Sequence, residues 1–174
     1  RAARSEQVWN GAYMITTFGA KREKAEHVAE LLNGFDANAN PRHGDTLQSA
    51  HQRIKNIHGF GAFLAAQIVA DLKYTPFNPL VSAPDWWTWA APGPGSERGL
   101  RWWLGREKPV APYEFLPRLT DLYAQLAPLI PGIAPLHAQD VQSCLCEFDK
   151  WIRTKEGRGK PKQRYASRQA EFLV

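Results

Sequence analysis

The chain has 174 residues, room for one domain with a sizeable core, and its 44% hydrophobic and 22% charged content excludes wholesale disorder. No apolar run approaches the roughly 20 residues of a membrane span, and the first residues carry no apolar signal stretch, so no membrane partner is expected. The two cysteines, Cys144 and Cys146, are too close for a stapling disulfide and too few for a zinc or iron–sulfur site, which makes a reducing cytoplasm the expected compartment.

In chain order, apolar spacing is helical in most segments and no stretch alternates as a strand does, so the expected class is all-α. Residues 5–18 read as a helix stopped by Gly19, and residues 21–33 as a second, with Val28, Leu31 and Leu32 inward and Gly34 past its end. Asp45 is the expected cap of a third helix running to about Ile57. Residues 62–74 form a fourth, closed by Pro76 and Pro79. The middle, residues 84–112, reads as irregular, with tryptophan pairs around a Gly/Pro loop. Two later helices follow from the spacing of Phe115, Leu116, Leu119, Leu122 and Leu126, and of Val141, Cys144, Leu145, Phe148, Trp151 and Ile152.

The formal charge of +5 is unevenly placed. Residues 150–168 hold eight Lys or Arg against one acid, Glu156, and the rest of the chain carries a net −2. Such an edge suits a polyanion, because each Lys or Arg beside a phosphate displaces a counterion; a solvated tail is the plain alternative. Gly157, Gly159 and Pro161 make the stretch a loop. The expected organisation is therefore a helical domain, 1–154, followed by a basic segment, 155–174. Lys155, Arg158, Lys160, Lys162 and Arg164 are its candidate DNA contacts.

Between the third and fourth helices stands Ile57-His58-Gly59-Phe60-Gly61, followed by Ala65, Ile68 and Val69. An apolar residue, X, Gly, apolar, Gly, then Ala and an aliphatic at helical spacing is the helix-hairpin-helix signature of DNA-binding proteins. Glycines let the backbone turn tightly and approach a phosphate, and amides at the start of the next helix are unpaired donors. Gly59, Phe60, Gly61 and Ala62 are the candidate backbone contacts, over a hairpin of about 45–74. A plain αα-turn that happens to contain Gly-X-Gly is the competing reading.

Such hairpins hold backbone without reading bases, so chemistry must come from elsewhere. In helix-hairpin-helix DNA glycosylases a catalytic aspartate follows the first hairpin glycine by a little over twenty residues. Asp85 follows Gly59 by 26, a similar placement. A carboxylate there can stabilise a cationic sugar or position a nucleophile; alternatively Asp85 caps a short helix starting at Trp86. Lyase-type members carry a Schiff-base lysine four residues after that glycine, where this chain has Phe63, so any glycosylase activity is expected without strand cleavage.

Three stretches resemble something narrower: Gly61-Ala62-Phe63-Leu64-Ala65-Ala66-Gln67-Ile68-Val69-Ala70-Asp71-Leu72, then Asp85-Trp86-Trp87-Thr88-Trp89 through Gly93-Pro94-Gly95-Ser96 to Arg98-Gly99-Leu100, and Asp140-Val141-Gln142-Ser143-Cys144-Leu145-Cys146-Glu147-Phe148-Asp149-Lys150. They are similar to the α-glutamyl/putrescinyl thymine pyrophosphorylase family, whose relatives include amino acid:DNA transferases and the helical domain attached to 5-hydroxymethyluracil DNA kinases. The resemblance covers about residues 12–165 and implies a glycosylase-like helical fold in a bacterial or phage-infected cell. Family members have a further N-terminal helical region, so it also implies a fragment.

The resemblance further implies action on a 5-substituted pyrimidine in DNA. A transferase replaces pyrophosphate on 5-hydroxymethyluracil with an amine such as an amino acid or putrescine; related proteins excise modified pyrimidines as glycosylases. A DNA-binding module without activity is the third reading. Either reaction requires flipping the base, and Trp86, Trp87, Trp89, Trp102 and Trp103 offer flat surfaces for it, although tryptophans so clustered are commonly core. Gly93, Gly95 and Ser96 can present amides and a hydroxyl to a phosphate, with Arg98 beside them. On the last helix Gln142, Cys146, Asp149 and Arg153 share one face, while Asp140, Ser143, Glu147 and Lys150 share its neighbour. Glu147 or Asp149 is the candidate base, Gln142 and Lys150 candidate substrate contacts, and a solvated face with a Glu147–Lys150 pair the plain account. No metal-ligand spacing is present and no cofactor is expected.

Overall fold

The computed structural model describes residues 19, 21–33, 35, 39–130 and 136–159, and among these it is helical with no strand. Six α-helices follow in order among the described residues: α1 (Lys24–Asn33), α2 (Leu47–Lys55), α3 (Gly61–Leu72), α4 (Pro94–Trp103), α5 (Pro112–Leu126) and α6 (Ala138–Lys155). Short 3-10 turns lie at Pro79–Ser82 and Ala127–Leu129. The helix expected over residues 5–18 lies outside the described residues.

Two adjoining cores divide the helices. Around the α2–α3 hairpin, Leu47, Ala50, Ile54, Phe60, Ala65 and Val69 close on Leu80, Ala83, Trp89 and Ala91. In the second, Leu100 of α4, Phe115, Leu119 and Leu122 of α5, and Val141 and Leu145 of α6 meet Ala90 and Val110. Leu116 packs against both. On α1, Leu32 is exposed where it was expected inside, and His27 is buried. Leu31 instead reaches the hairpin, where a Cβ on Gly59 would come within 2.5 Å of its Cδ2.

Two local expectations are corrected. The cap of α2 is Thr46, whose hydroxyl accepts from the Ser49 N–H at 2.9 Å. Asp45 is drawn away by the Arg42 N–H at 2.6 Å and by the Arg53 guanidinium. The supposed Gly/Pro loop at residues 93–96 is the first turn of α4. Pro94 needs no N–H partner there, and the Ser96 hydroxyl accepts from the Gly93 N–H at 3.1 Å, so both residues start a helix rather than interrupt one.

The polar stripe of α6 explains how α4 is held. Gln142 Nε2 donates to the Ser96 hydroxyl at 3.2 Å, Gly95 lies against Cys146, and a Cβ on Gly99 would overlap the Leu145 carbonyl. Below that close approach, Arg98 grips Asp149 through Nε (3.1 and 3.0 Å) and Nη2 (2.8 Å), and Trp102 Nε1 donates to the same carboxylate at 3.3 Å. Asp149 is 1% exposed. Burial pushes its carboxyl up, but the hydrogen bonds and charge of Arg98 more than offset this and leave it below the usual carboxylate range.

Gly99→Ala should therefore cost about 3 kcal/mol through overpacking and lower the melting temperature by roughly 10 °C. An unchanged melting temperature contradicts the close α4–α6 crossing. Because folded Asp149 titrates below its unfolded value of about 3.9, its contribution is complete above about pH 4 and is lost as pH falls through the folded value. Asp149→Asn should cost about 2 kcal/mol at neutral pH, less than a wholly buried pair because Arg98 reaches water. Its urea midpoint should also fall less than the wild type's between pH 7 and pH 3, and equal falls contradict the clamp.

Candidate functional site

The two glycines of the hairpin do different work. Gly59 has φ +89° and sits under Leu31, so it serves the turn and the packing of α1. Gly61 has φ +60°, opens α3, and a Cβ there would meet nothing within 4 Å. No side chain caps α3, and Gly61, Ala62, Phe63 and Leu64 are exposed. His51 Nε2, 3.0 Å from the Ala62 carbonyl, ties this first turn to α2. Phe60 is buried in the hairpin core and can offer only its backbone outward. A helix start without a side-chain cap and with no Cβ at its first position leaves space in which an anion can approach.

Asp85 lies at the other end of α2, about 13 Å away along a nine-residue helix. Its Oδ1 accepts from the Leu47 N–H at 2.7 Å and its Oδ2 from the Gln48 N–H at 3.1 Å. The carboxylate thus caps α2 from 38 residues away, rather than a helix starting at Trp86. Residues 84–88 form a turn, and Trp86 within it is half-buried.

Around Trp86 the structure assembles a group that local spacing does not show. Lys73, at the end of α3, is 1% exposed; its Nζ donates to the Trp86 carbonyl at 3.1 Å and stands 4.2 Å from the Trp86 ring. Burial lowers the affinity of Lys73 for its proton, while the charges of Asp140 and Asp85 raise it; the net direction is down. Tyr74, Trp87 and His137 surround Trp86 at ring distances of 5.5, 4.9 and 4.3 Å. Local spacing marks His137 only as the start of the last helix, with Asp140 three residues on, and does not single out Lys73 or Tyr74, which lie more than sixty residues before it.

Other expected site residues are placed elsewhere. Asp149 and Arg98 neutralise each other, which occupies the base candidate's carboxylate and the Nε–Nη2 edge of the phosphate candidate's guanidinium. Gly93, Gly95, Ser96 and Gln142 are occupied in the α4–α6 contact, so the phosphate loop expected there is a packed helix start. Glu147 and Lys150 are exposed and form a 2.5 Å ion pair on the solvated face of α6. Trp89 is core, whereas Trp87 and Trp103 are exposed. At the end of α6, Lys155 lies over the Trp151 ring, and Arg158 pairs with Glu156 and lies over Trp102. Lys160, Lys162 and Arg164 lie outside the described residues.

Among the described residues no cluster of metal-binding side chains occurs, and no helix is long and apolar enough to cross a membrane. A family model described as 5-hmdU DNA kinase, helical domain, matches residues 1–160. No curated protein and no solved structure matches the chain. The match falls on the kinase-attached relative rather than on the pyrophosphorylase branch, and it ties the chain to the metabolism of modified bases in DNA. The chain belongs to the family of the helical domain of 5-hmdU DNA kinases.

Proposed function

We propose that this chain binds DNA through the α2–α3 hairpin and acts on a 5-modified pyrimidine flipped from the stack, as a base-hypermodification transferase. The observation that carries the reading is the open start of α3 at Gly61, in a chain whose family is tied to modified thymine-type bases. Backbone amides there would hold a phosphate, and the exposed aromatic surface of Tyr74 and Trp87 beside Asp85, at the far end of α2 and α3, would meet the base. In the reaction an amine, supplied by an amino acid or putrescine, forms a C–N bond at the 5-methylene carbon while the C–O bond to pyrophosphate breaks.

One observation favours a second reading, base excision: Asp85 stands 26 residues after Gly59, near the glycosylase placement. Mass spectrometry of a duplex carrying the pyrophosphorylated base, incubated with protein and amine, separates the two. A retained base that has gained the amine and lost pyrophosphoric acid supports transfer, a lost base supports excision, and unchanged DNA overturns both. Asp85→Asn should abolish excision and only weaken transfer, at a stability cost of about 1 kcal/mol, because the amide oxygen still accepts one of the two α2 amides. A fully active Asp85→Asn variant reduces Asp85 to its helix cap.

Binding has its own test. Substituting Gly61 would strain the turn, whereas Ala62→Glu places a negative charge in a first helical turn, where it is tolerated. That variant should keep its melting temperature and lose about tenfold in duplex affinity. Unchanged affinity contradicts the hairpin interface.

A further inference from the structure

The last two turns of α6 carry aromatic rings that the hairpin and transferase readings do not use. Phe148, Trp151 and Lys155 recur at intervals of three and four residues, so they share one stripe of the helix, apart from the Asp149 stripe that meets α4. Apolar spacing counts Trp151 with the inward face of α6, yet it is 56% exposed. The Phe148 and Trp151 rings lie 6.2 Å apart and only 16° from parallel, and Lys155 Nζ stands 5.1 Å from the centre of the Trp151 ring. An indole left so open forgoes much of the stabilisation that burial would give it. The acids on this end of the helix are matched by other bases: Glu147 by Lys150, Asp149 by Arg98, and Glu156 by Arg158. Lys155 is turned to the ring instead. In sequence the basic run then continues from Arg158 through Lys160, Lys162, Arg164 and Arg168 with no acid between them.

We propose that the Phe148–Trp151–Lys155 stripe is a binding site for single-stranded DNA, in which an unpaired base lies on the Trp151 ring and the neighbouring phosphates meet Lys155 and the basic run after it. A base inside a duplex has both faces covered by its neighbours, so an open ring selects an unpaired strand. Stacking uses only the flat face of a base, so the site takes bases without regard to sequence. Lys155 has a long, flexible side chain and can leave the indole to meet a phosphate as a base arrives. An excess of Lys and Arg beside an exposed aromatic ring suits a polyanion that carries flat bases, and the family's tie to modified bases in DNA makes that polyanion DNA. The site does not rest on the hairpin or on the transferase reaction, because neither Gly61 nor Asp85 belongs to it.

Fluorescence anisotropy with a labelled short oligothymidylate, and with an abasic strand of the same length, separates stacking from charge. The wild type should bind the oligothymidylate about tenfold more tightly than the abasic strand. Trp151→Ala removes an exposed ring, so its melting temperature should stay close to the wild type's, while most of that preference disappears and abasic binding is unchanged. Equal affinity of the wild type for the two strands overturns the site without recourse to any variant. A full preference retained by Trp151→Ala, or no binding of the oligothymidylate, overturns it as well. Tighter binding of an oligouridylate overturns the assignment to DNA. Ala62→Glu, which should weaken duplex binding, should leave the oligothymidylate affinity as it is. A loss there would place the single strand on the hairpin and overturn the α6 site, so the two surfaces fail separately.

Discussion

Residues 84–88 form a turn that ties three helices by five hydrogen bonds. Asp85 accepts two amides of α2, the Trp86 carbonyl accepts the buried Lys73 ammonium at the end of α3, Trp86 Nε1 donates to the Lys73 carbonyl, and the Trp87 carbonyl accepts the Ala138 N–H at the start of α6. An ammonium removed from water costs several kcal/mol unless it is compensated. Here a carbonyl, an indole face and the charges of Asp85 and Asp140 compensate it, so Lys73 is held only while the turn keeps its shape. The same contacts bring Tyr74 and His137 together and fix the orientation of Trp86.

From this junction the helices divide into two pairs, α2 with α3 and α4 with α6. α2 and α3 run away from it to the glycine turn, where α3 begins at Gly61 with no side-chain cap. α4 and α6 form a separate, rigid support, in which Gly95 and Gly99 admit the α6 backbone and Arg98 locks onto Asp149. The division is chemically sensible for an enzyme of modified DNA bases. In the proposed function, a backbone anchor that reads no sequence would stand apart from the aromatic surface where a flipped base would be handled. The separation of about 13 Å along α2 lies within the width of a duplex.

What was legible in the sequence were the features encoded by neighbours along the chain. The hairpin follows from Gly59, Gly61 and Ala65, because turn geometry and close helix packing are local demands. Five of the six helices follow from apolar spacing, and α4 was missed because Gly93, Pro94 and Gly95 outweighed the helix-start signals of Pro94 and Ser96. The Gln142–Cys146–Asp149–Arg153 stripe was visible, but its partner was not. Arg98 lies 51 residues away, and only the glycines of α4 turn a polar face into an interface. Tyr74 and His137 are 63 residues apart, and no periodicity marks a contact of that range. Asp85 stood out by its distance from Gly59, while its capping of α2 emerged only in three dimensions.

The most direct test of the account is amide hydrogen exchange with and without a short duplex carrying one 5-hydroxymethyluracil. The account predicts that the duplex slows exchange at residues 60–63, at the start of α3, and in the 84–88 turn, with α4 unchanged. Protection confined to α6 and the basic segment, with residues 60–63 unaffected, would contradict it.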